Sequence, residues 1–576
     1  MKKALSIFLA TVILLLGVCA PIANAQQISK LPVIILGGFS SGQLYIDYGE
    51  ESEEKVWSFE VSAALKQTAS DLENFVPALL RLMLLGDFAT MGSVAGNGGK
   101  IILEKLFCKE DSSSVYPLET YPADPAISTY TYLKENGLDE HILEKPLAEY
   151  VAGKIGGDNV FFFQYDMRLG MVDLSALLKD FVDAVLEYTG SDRLNIFGIS
   201  YGGFLLGSYL SLYGTEGKVY NAVLNVPALG GTSFARRFFT AETDFPLYSL
   251  ISFAELAIGL ETNLAPLFKN TQLDKIEVLA KAFLNEIMAL PYFWGSLWDL
   301  LTPEDYEELK PLLLDSNASA ELIRKSDIVH HEIMPNYRKN FLACMEKGVN
   351  VSIMCNYASQ NAFGGEQYGD MLLDAAAVSG AKVVTYGERF EDGYKACGTV
   401  CGKASHNHVS PSMEIDASCA YLPENTWFVK DQFHGMYAMD ENTFSLVKTL
   451  LFTEERADIY TYEEYPQFLL SENAYYDVTA GFDSDVHGYV EGDEKEFTVT
   501  NISTKPMVIT AVECEGIDLD FNLPANRAVL AGESITFSFD GEIPEAQRKH
   551  FSVKISYLMP TVGIPTASRT IDFSVI

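Results

Sequence analysis

Ser200 and His434 carry the clearest chemical potential in the chain. Ser200 lies in Leu194-Asn195-Ile196-Phe197-Gly198-Ile199-Ser200-Tyr201-Gly202-Gly203, where an apolar run ends in G-x-S-x-G and a small-residue segment continues to Leu210. Strand, sharp turn, helix is the context in which a serine hydroxyl stands exposed as a nucleophile. Glycine is required two positions either side, because a Cβ at Gly198 or Gly202 would strike the neighbouring strand or the helix backbone. A chain with 43 glycines can produce this pattern by accident, so the flanking elements must decide between a nucleophile and an ordinary loop serine. A serine also needs a base. Of eight histidines only His434 has the right setting, an apolar run then a loop, in Trp427-Phe428-Val429-Lys430-Asp431-Gln432-Phe433-His434-Gly435. A hydroxyl followed much later in the chain by an imidazole is the order expected for acyl transfer through a covalent intermediate.

Such chemistry needs donors for the developing oxyanion. Leu31-Pro32-Val33-Ile34-Ile35-Leu36 runs directly into Gly37-Gly38-Phe39. By position the two donors are the backbone amides of Phe39 and of Tyr201, the residue after the serine. Each such donor is typically worth about 3 to 4 kcal/mol of barrier.

The elements that must hold these groups can be read around them. Leu174, Leu177, Leu178, Phe181, Val182, Val185 and Leu186 recur at helical spacing, with Asp173 placed to cap the start and Gly190 the end. Val160-Phe161-Phe162-Phe163 precedes that helix as a buried-strand run, so strand, helix, strand, elbow and helix follow one another as in a parallel α/β sheet. Val223 to Val226 and Gly348 to Cys355 read as further strands. Between them, residues 232–345 are apolar and helical in pattern, including Phe245 to Leu260 and Leu290 to Trp298. An insertion here either caps the site as an acyl-binding wall or packs its own core. Beyond residue 472 the pattern becomes alternating, as in Phe497 to Asn501, Ser534 to Phe539, Phe551 to Tyr557 and Thr570 to Val575. About 100 such residues predict an immunoglobulin-like or fibronectin-like sandwich.

Met1-Lys2-Lys3, the apolar run Ala4 to Val18 and the small residues Ala23-Asn24-Ala25 read as a signal peptide over 1–25. The run falls short of the ~18 to 20 apolar residues that a permanent span needs. The expectation is a secreted protein with no integral membrane span once the signal is removed. A formal charge of −37, more negative still without Lys2 and Lys3, disfavours nucleic acid and anionic bilayers as electrostatic partners. Seven cysteines remain after Cys19 leaves with the signal, and export permits disulfides. Cys397 and Cys401 lack the matching second pair of a metal site, and fit better with a local bridge or a pairing of Cys419 with one of them.

Pro32-Val33-Ile34-Ile35 with its glycine-rich loop, Tyr165-Asp166-x-Arg168-Leu169 after an aromatic strand, and Gly198-Ile199-Ser200-Tyr201-Gly202 occur in an order that resembles the lecithin:cholesterol acyltransferase-like branch of the α/β-hydrolases. That family carries a P-V-[IL]-[LV]-V-P-G loop, Y-D-W-R and a G-H-S-M-G or A-H-S-M-G elbow. Here Gly37 replaces the proline, Met167 the tryptophan, Ile199 the elbow histidine and Tyr201 its methionine. The resemblance spans about Leu31 to Leu210 and implies an α/β-hydrolase domain, read over 26–472 with the cap insertion at about 232–345; the alternating pattern places the β-sandwich over 473–576. It also implies a lipid or other acyl-ester substrate.

In that family a G-D-G-T-V segment supplies the acid. The best local match is Ser405-His406-Asn407-His408-Val409, which puts His406 where a carboxylate belongs. A histidine cannot orient an imidazole and stabilise its cation as a carboxylate does. Among Asp392, Glu414, Asp416 and Glu424, Asp416 is the acid expected, because it precedes His434 by one loop-plus-strand length. His406-x-His408 with no defined third ligand does not make a metal site, so no metal and no cofactor is expected. The function expected is therefore a secreted serine esterase, lipase or acyltransferase, with the C-terminal sandwich available for cell-surface association. The rival is a decayed hydrolase that binds a surface or ligand without catalysis, motivated by His406 and by the terminal sandwich.

Overall fold

The computed structural model describes residues 30–57, 104–240 and 293–471 apart from single positions and short gaps, a few residues within 81–97 and 278–282, and parts of 480–575. Residues 1–25, read as a signal peptide from the sequence, and Phe245 to Leu260 and Leu290 to Tyr292 lie outside the described residues.

Seven strands build one sheet: β1 (Val33–Leu36), β2 (Val160–Phe162), β3 (Leu194–Ile199), β4 (Val219–Asn225), β5 (Asn350–Tyr357), β6 (Thr426–Lys430) and β7 (Phe468–Leu470). Their order is β7-β6-β5-β4-β3-β1-β2 and every neighbouring pair is parallel. Parallel sheets are covered on both faces, which is why these runs are apolar at almost every position. Alternate residues then serve opposite cores. Ile34, Leu36, Ile196, Leu224 and Phe428 join one, while Val33, Ile35, Phe197, Val223 and Trp427 join the other. Helices α2 (Met171–Thr189), α3 (Tyr201–Tyr213) and α4 (Tyr337–Glu346) contribute Leu178, Phe204 and Phe341 to the first core. Helices α1 (Lys145–Ile155) and α5 (Glu441–Phe452) contribute Leu147 and Leu450 to the second. The architecture is α/β, helices on both faces of a parallel sheet.

Helix α2 differs from expectation at its start. Gly170, not Asp173, occupies the N-cap position, and Asp173 sits in the first turn, where its charge meets the positive helix end and the Lys325 ammonium at 2.9 Å. Gly190 does end the helix, at φ 66°, with its N–H bonded to Leu186 and Glu187 carbonyls.

The inserted region contributes short described helices at Ser233–Thr240, Gly295–Asp299, Pro303–Leu309 and Ala320–Asp327. Beyond 480, one antiparallel sheet contains Ala480–Phe482, Glu496–Asn501, Ser534–Asp540 and Asp520–Asn522. A second contains Ala528–Val529, Met507–Cys514, Phe551–Leu558 and Ser568–Val575. Met507–Cys514 escapes an alternation test because Met507, Val508 and Ile509 are buried in succession.

In the main sheet the chain leaves β1 toward β2 on one side, and β3 returns on the other side of β1. The carboxyl ends of β1 and β3 therefore flank the point where strand order reverses, the place where open α/β sheets hold ligands. Gly37-Gly38 and Ser200 lie at those two ends.

Candidate active site

Ser200 joins β3 to α3 with φ 56° and ψ −119°, a conformation that costs a non-glycine residue free energy and persists only when its surroundings hold it. The neighbouring glycines supply the holding. A Cβ on Gly198 would come within 2.6 Å of the Gly202 carbonyl oxygen, in the helix backbone. One on Gly202 would run into the Leu36 and Gly37 carbonyl oxygens of the adjoining chain. The Ser200 N–H donates to the Asn225 carbonyl at 3.0 Å, and its own carbonyl accepts from Phe204 in the first turn of α3. Ser200 is part-exposed at this bend.

His434 follows β6, as its apolar-run-then-loop setting suggested. Its Nε2 lies 2.8 Å from Ser200 Oγ and its Nδ1 lies 2.8 Å from Asp370 Oδ2. Burial deepens along this line. The His434 side chain is about one-tenth exposed and Asp370 is fully buried. Asp370 is held on a turn: its Oδ1 accepts from Leu372 and Leu373 N–H at 3.1 and 2.9 Å, and its carbonyl accepts from His434 N–H at 2.9 Å. One carboxylate oxygen is thus committed to the turn and the other to the imidazole.

Asp416, the acid expected from sequence, is not on His434. It is a buried residue whose Oδ1 accepts from Ser418 N and Oγ at 3.0 and 2.5 Å. Its Oδ2 accepts from the Tyr394 hydroxyl at 2.9 Å and from Cys397 N at 3.0 Å, with Cys397 Sγ at 3.3 Å. These donors lower its pKa, against the desolvation that raises it. The carboxylate closes a loop. His406 is likewise away from His434, with its Nδ1 3.4 Å from Cys401 Sγ. Cys397 and Cys401 are not bridged to each other, and the thiols of Cys397 and Cys419 lie 3.3 Å apart.

The sequence carried a signal for Asp370 in Gly369-Asp370, the first two letters of the family segment G-D-G-T-V, in the right order between Ser200 and His434. The following Met371-Leu372 departs from that segment. Gly369 is needed because a Cβ there would strike the Leu373 carbonyl oxygen.

The loop after β1 is gripped from below. Tyr165 donates its hydroxyl to Gly37 O at 2.6 Å and approaches Gly38 O at 3.2 Å, and Gly38 O also accepts from Ser41 N and Oγ at 3.0 and 2.7 Å. Arg168, 1 % exposed, forks onto Asp166 at 2.9 and 2.7 Å and reaches Leu106 O and Ser114 Oγ. The Y-D-x-R residues therefore brace this end of the sheet. Above them the Phe39 ring meets Tyr201 edge-on at 5.2 Å and stacks on Trp294 at 6.4 Å.

Glu144, absent from any reading of the sequence, lies buried behind the same loop, its Oε2 3.1 Å from where a Cβ on Gly37 would stand. Burial pushes its pKa up to about 7, from the ordinary glutamate value of 4.5. Between those two values the unfolded chain has lost the proton and the folded chain keeps it, so Glu144 makes stability fall as pH rises through this window and level off above it. Converted at 1.36 kcal/mol per unit, the loss is about 3 kcal/mol. Glu144→Gln keeps the acceptor without the charge. It is expected to match wild type in urea midpoint at pH 4.5 and to exceed it at pH 8; equal midpoints at both values would contradict the assignment.

Among the described residues, no helix is long and apolar enough to cross a membrane. No protein-family model matches the chain, and no curated protein matches it. Among solved structures, phospholipase PlaB from Legionella pneumophila is similar over 75 % of this chain and 86 % of its own, at 12 % identity and a TM-score of 0.27.

Proposed function

We propose that this chain is a serine hydrolase that cleaves or transfers the acyl group of an ester, with Ser200 as nucleophile, His434 as general base and then acid, and Asp370 as the orienting carboxylate. The observation that carries the reading is the unbroken pair of 2.8 Å contacts from Asp370 through His434 to Ser200. His434 takes the Ser200 proton on Nε2 as Oγ attacks the carbonyl carbon, and Asp370 holds the Nδ1–H and stabilises the imidazolium. Collapse of the tetrahedral intermediate expels the alkoxide, which takes that proton, and leaves an acyl-serine. Water or a second alcohol, deprotonated by the same imidazole, then removes the acyl group.

The oxyanion donors are the amides of Phe39 and Tyr201. Tyr201 opens α3, where the first N–H groups have no intrahelical acceptor. For Phe39, the planar trans peptide decides: Gly38 C=O is held by Ser41 and Tyr165, so the Phe39 N–H on the same peptide points the opposite way.

We assign the acyl group to a lipid ester, on the resemblance to the acyltransferase-like hydrolases and on the apolar composition of residues 232–345. We place its action outside the cell, on the basic tip and apolar run of residues 1–25, with surface association assigned to the C-terminal sheets. The non-catalytic reading rests on a histidine at the acid position and on the terminal sandwich. A buried carboxylate on His434 removes the first of these supports and leaves the second.

A fluorescent fluorophosphonate should label wild type and leave Ser200→Ala unlabelled. Absence of labelling in folded wild type would favour the binding-protein reading. p-Nitrophenyl esters of increasing chain length then separate a lipase, with turnover rising toward long acyl chains, from a short-chain esterase.

A further inference from the structure

We infer that Cys401, His406 and His408 form a zinc-binding site that staples the irregular segment between Val383 and Ile415. The inference is independent of the acyl-transfer reading. One sulfur and two imidazole nitrogens from these residues lie within 4.8 Å of one another. Cys401 Sγ and His406 Nδ1 are 3.4 Å apart, close to the separation of about 3.5 Å that tetrahedral Zn–S and Zn–N bonds impose.

His408 points to a missing ligand. It is fully buried, and its Nδ1 lies 2.8 Å from Gln467 Oε1. The Gln467 amide cannot be turned round, because its Nε2 donates to the Pro423 and Thr426 carbonyls at 2.6 and 3.2 Å. Its oxygen therefore faces the imidazole, so Nδ1 carries the proton and Nε2 presents a bare lone pair. That Nε2 is buried and has no hydrogen-bond partner among the described residues. An acceptor fixed in this tautomer by a second shell and left without a donor is the arrangement a metal-ligating histidine needs.

A thiolate with two imidazoles selects zinc over magnesium or calcium. On binding, Cys401 loses its thiol proton to solvent and the sulfur takes the metal. The Tyr460 hydroxyl, 2.6 Å from that sulfur, then donates to the thiolate, and the fourth coordination position falls to water. The neighbouring Cys397, Asp416 and Cys419 also come close together, but Asp416 is already filled by its own donors. Only the Cys401 group contains an orphaned buried nitrogen.

What the ion would do follows from the chain around it. Among the described residues no helix or strand lies between Lys382–Val383 and Ile415–Asp416. A loop of that length pays closure entropy with few ladder bonds in return. Zinc would close the turn from Cys401 to His408 within this segment, and His408 carries that turn to the sheet through Gln467, whose Nε2 reaches Thr426 O and whose carbonyl accepts from Phe428 N, both in β6.

The test uses full-length protein purified with a phosphine reductant, dialysed against Zn2+ and then metal-free buffer, with metal counted by mass spectrometry. Wild type should retain about one zinc per chain, and the affinity read by chelator competition should fall about 100-fold or more in Cys401→Ser/His406→Gln. Cys397→Ser/Cys419→Ser should retain the metal. A Co2+-loaded sample should show a near-ultraviolet thiolate-to-cobalt band that Cys401→Ser lacks, and circular dichroism verifies that each variant is folded. Wild type binding no more zinc than Cys401→Ser/His406→Gln would overturn the proposal. So would zinc lost in Cys397→Ser/Cys419→Ser and kept in the other variant.

Discussion

Asp370→Asn is expected to lower kcat on an ester substrate by about four orders of magnitude, the loss seen when the orienting carboxylate of another serine triad is made an amide. The reason is the tautomer. Asp370 Oδ2 accepts from His434 Nδ1 at 2.8 Å, which leaves Nε2 free to receive the Ser200 proton. An amide at 370 can present its NH2 to Nδ1, and the ring then carries its proton on the nitrogen that should be the base. Asp416→Asn should behave differently. Its carboxylate closes a loop with Ser418, Tyr394 and Cys397, so replacing an oxygen by NH2 sets donor against donor and costs about 1 to 3 kcal/mol of stability. Turnover per folded molecule should stay near wild type. Measuring kcat with active-site titration and urea midpoints for both variants separates the two residues. Loss of turnover in Asp416→Asn with Asp370→Asn unharmed would reverse the assignment.

The contrast between these two aspartates marks how far the sequence could be read. The elbow was legible because its constraint is local: a bend that brings Gly198 against Gly202, and Gly202 against Leu36, must be written as glycine within five residues. His434 was legible because histidines are few and the β6 run before it is apolar on both faces. The acid had neither advantage. Carboxylates are abundant in this chain, and the one that reaches His434 stands 64 residues before it. Its approach depends on a turn after the two-residue strand Tyr368–Gly369, too short to leave a periodic signal. Spacing to the histidine favoured Asp416, and spacing says nothing about which loop end folds back over β3. Glu144 was hidden for a related reason: a single acid at the start of α1 looks like a helix-terminal charge until the Gly38 loop is laid against it. The α/β order was legible from apolar runs alone, whereas Met507–Cys514 was not, because burial of consecutive residues erases alternation.

Gly202→Ala is expected to cost about 3 kcal/mol of stability, at the upper end of what overpacking a close contact typically costs. It should also lower turnover by at least about 100-fold through misplacement of the nucleophile by an ångström or so. The added methyl would meet the Leu36 and Gly37 carbonyl oxygens and the Leu36 carbonyl carbon at 2.8 Å, and these are backbone atoms of β1 and its loop, unable to swing aside as a flexible side chain could. Relief requires α3 to move off β1. Both groups of proposed oxyanion donors ride on the parts that separate, Tyr201 on α3 and Phe39 on the loop after β1. Gly38→Ala is the control that isolates this effect from the mere loss of a glycine. Its Cβ would sit 3.6 Å from Ser200 Cβ and 3.9 Å from Oγ, an ordinary contact, so stability should change little while the methyl narrows the space beside the nucleophile. Urea midpoints and fluorophosphonate labelling rates measured on the pair decide the matter. A Gly202→Ala protein as stable and as reactive as wild type would mean that β1 and α3 are not packed as closely as the strand–elbow–helix unit demands, and the positioning argument for Ser200 would fail with it.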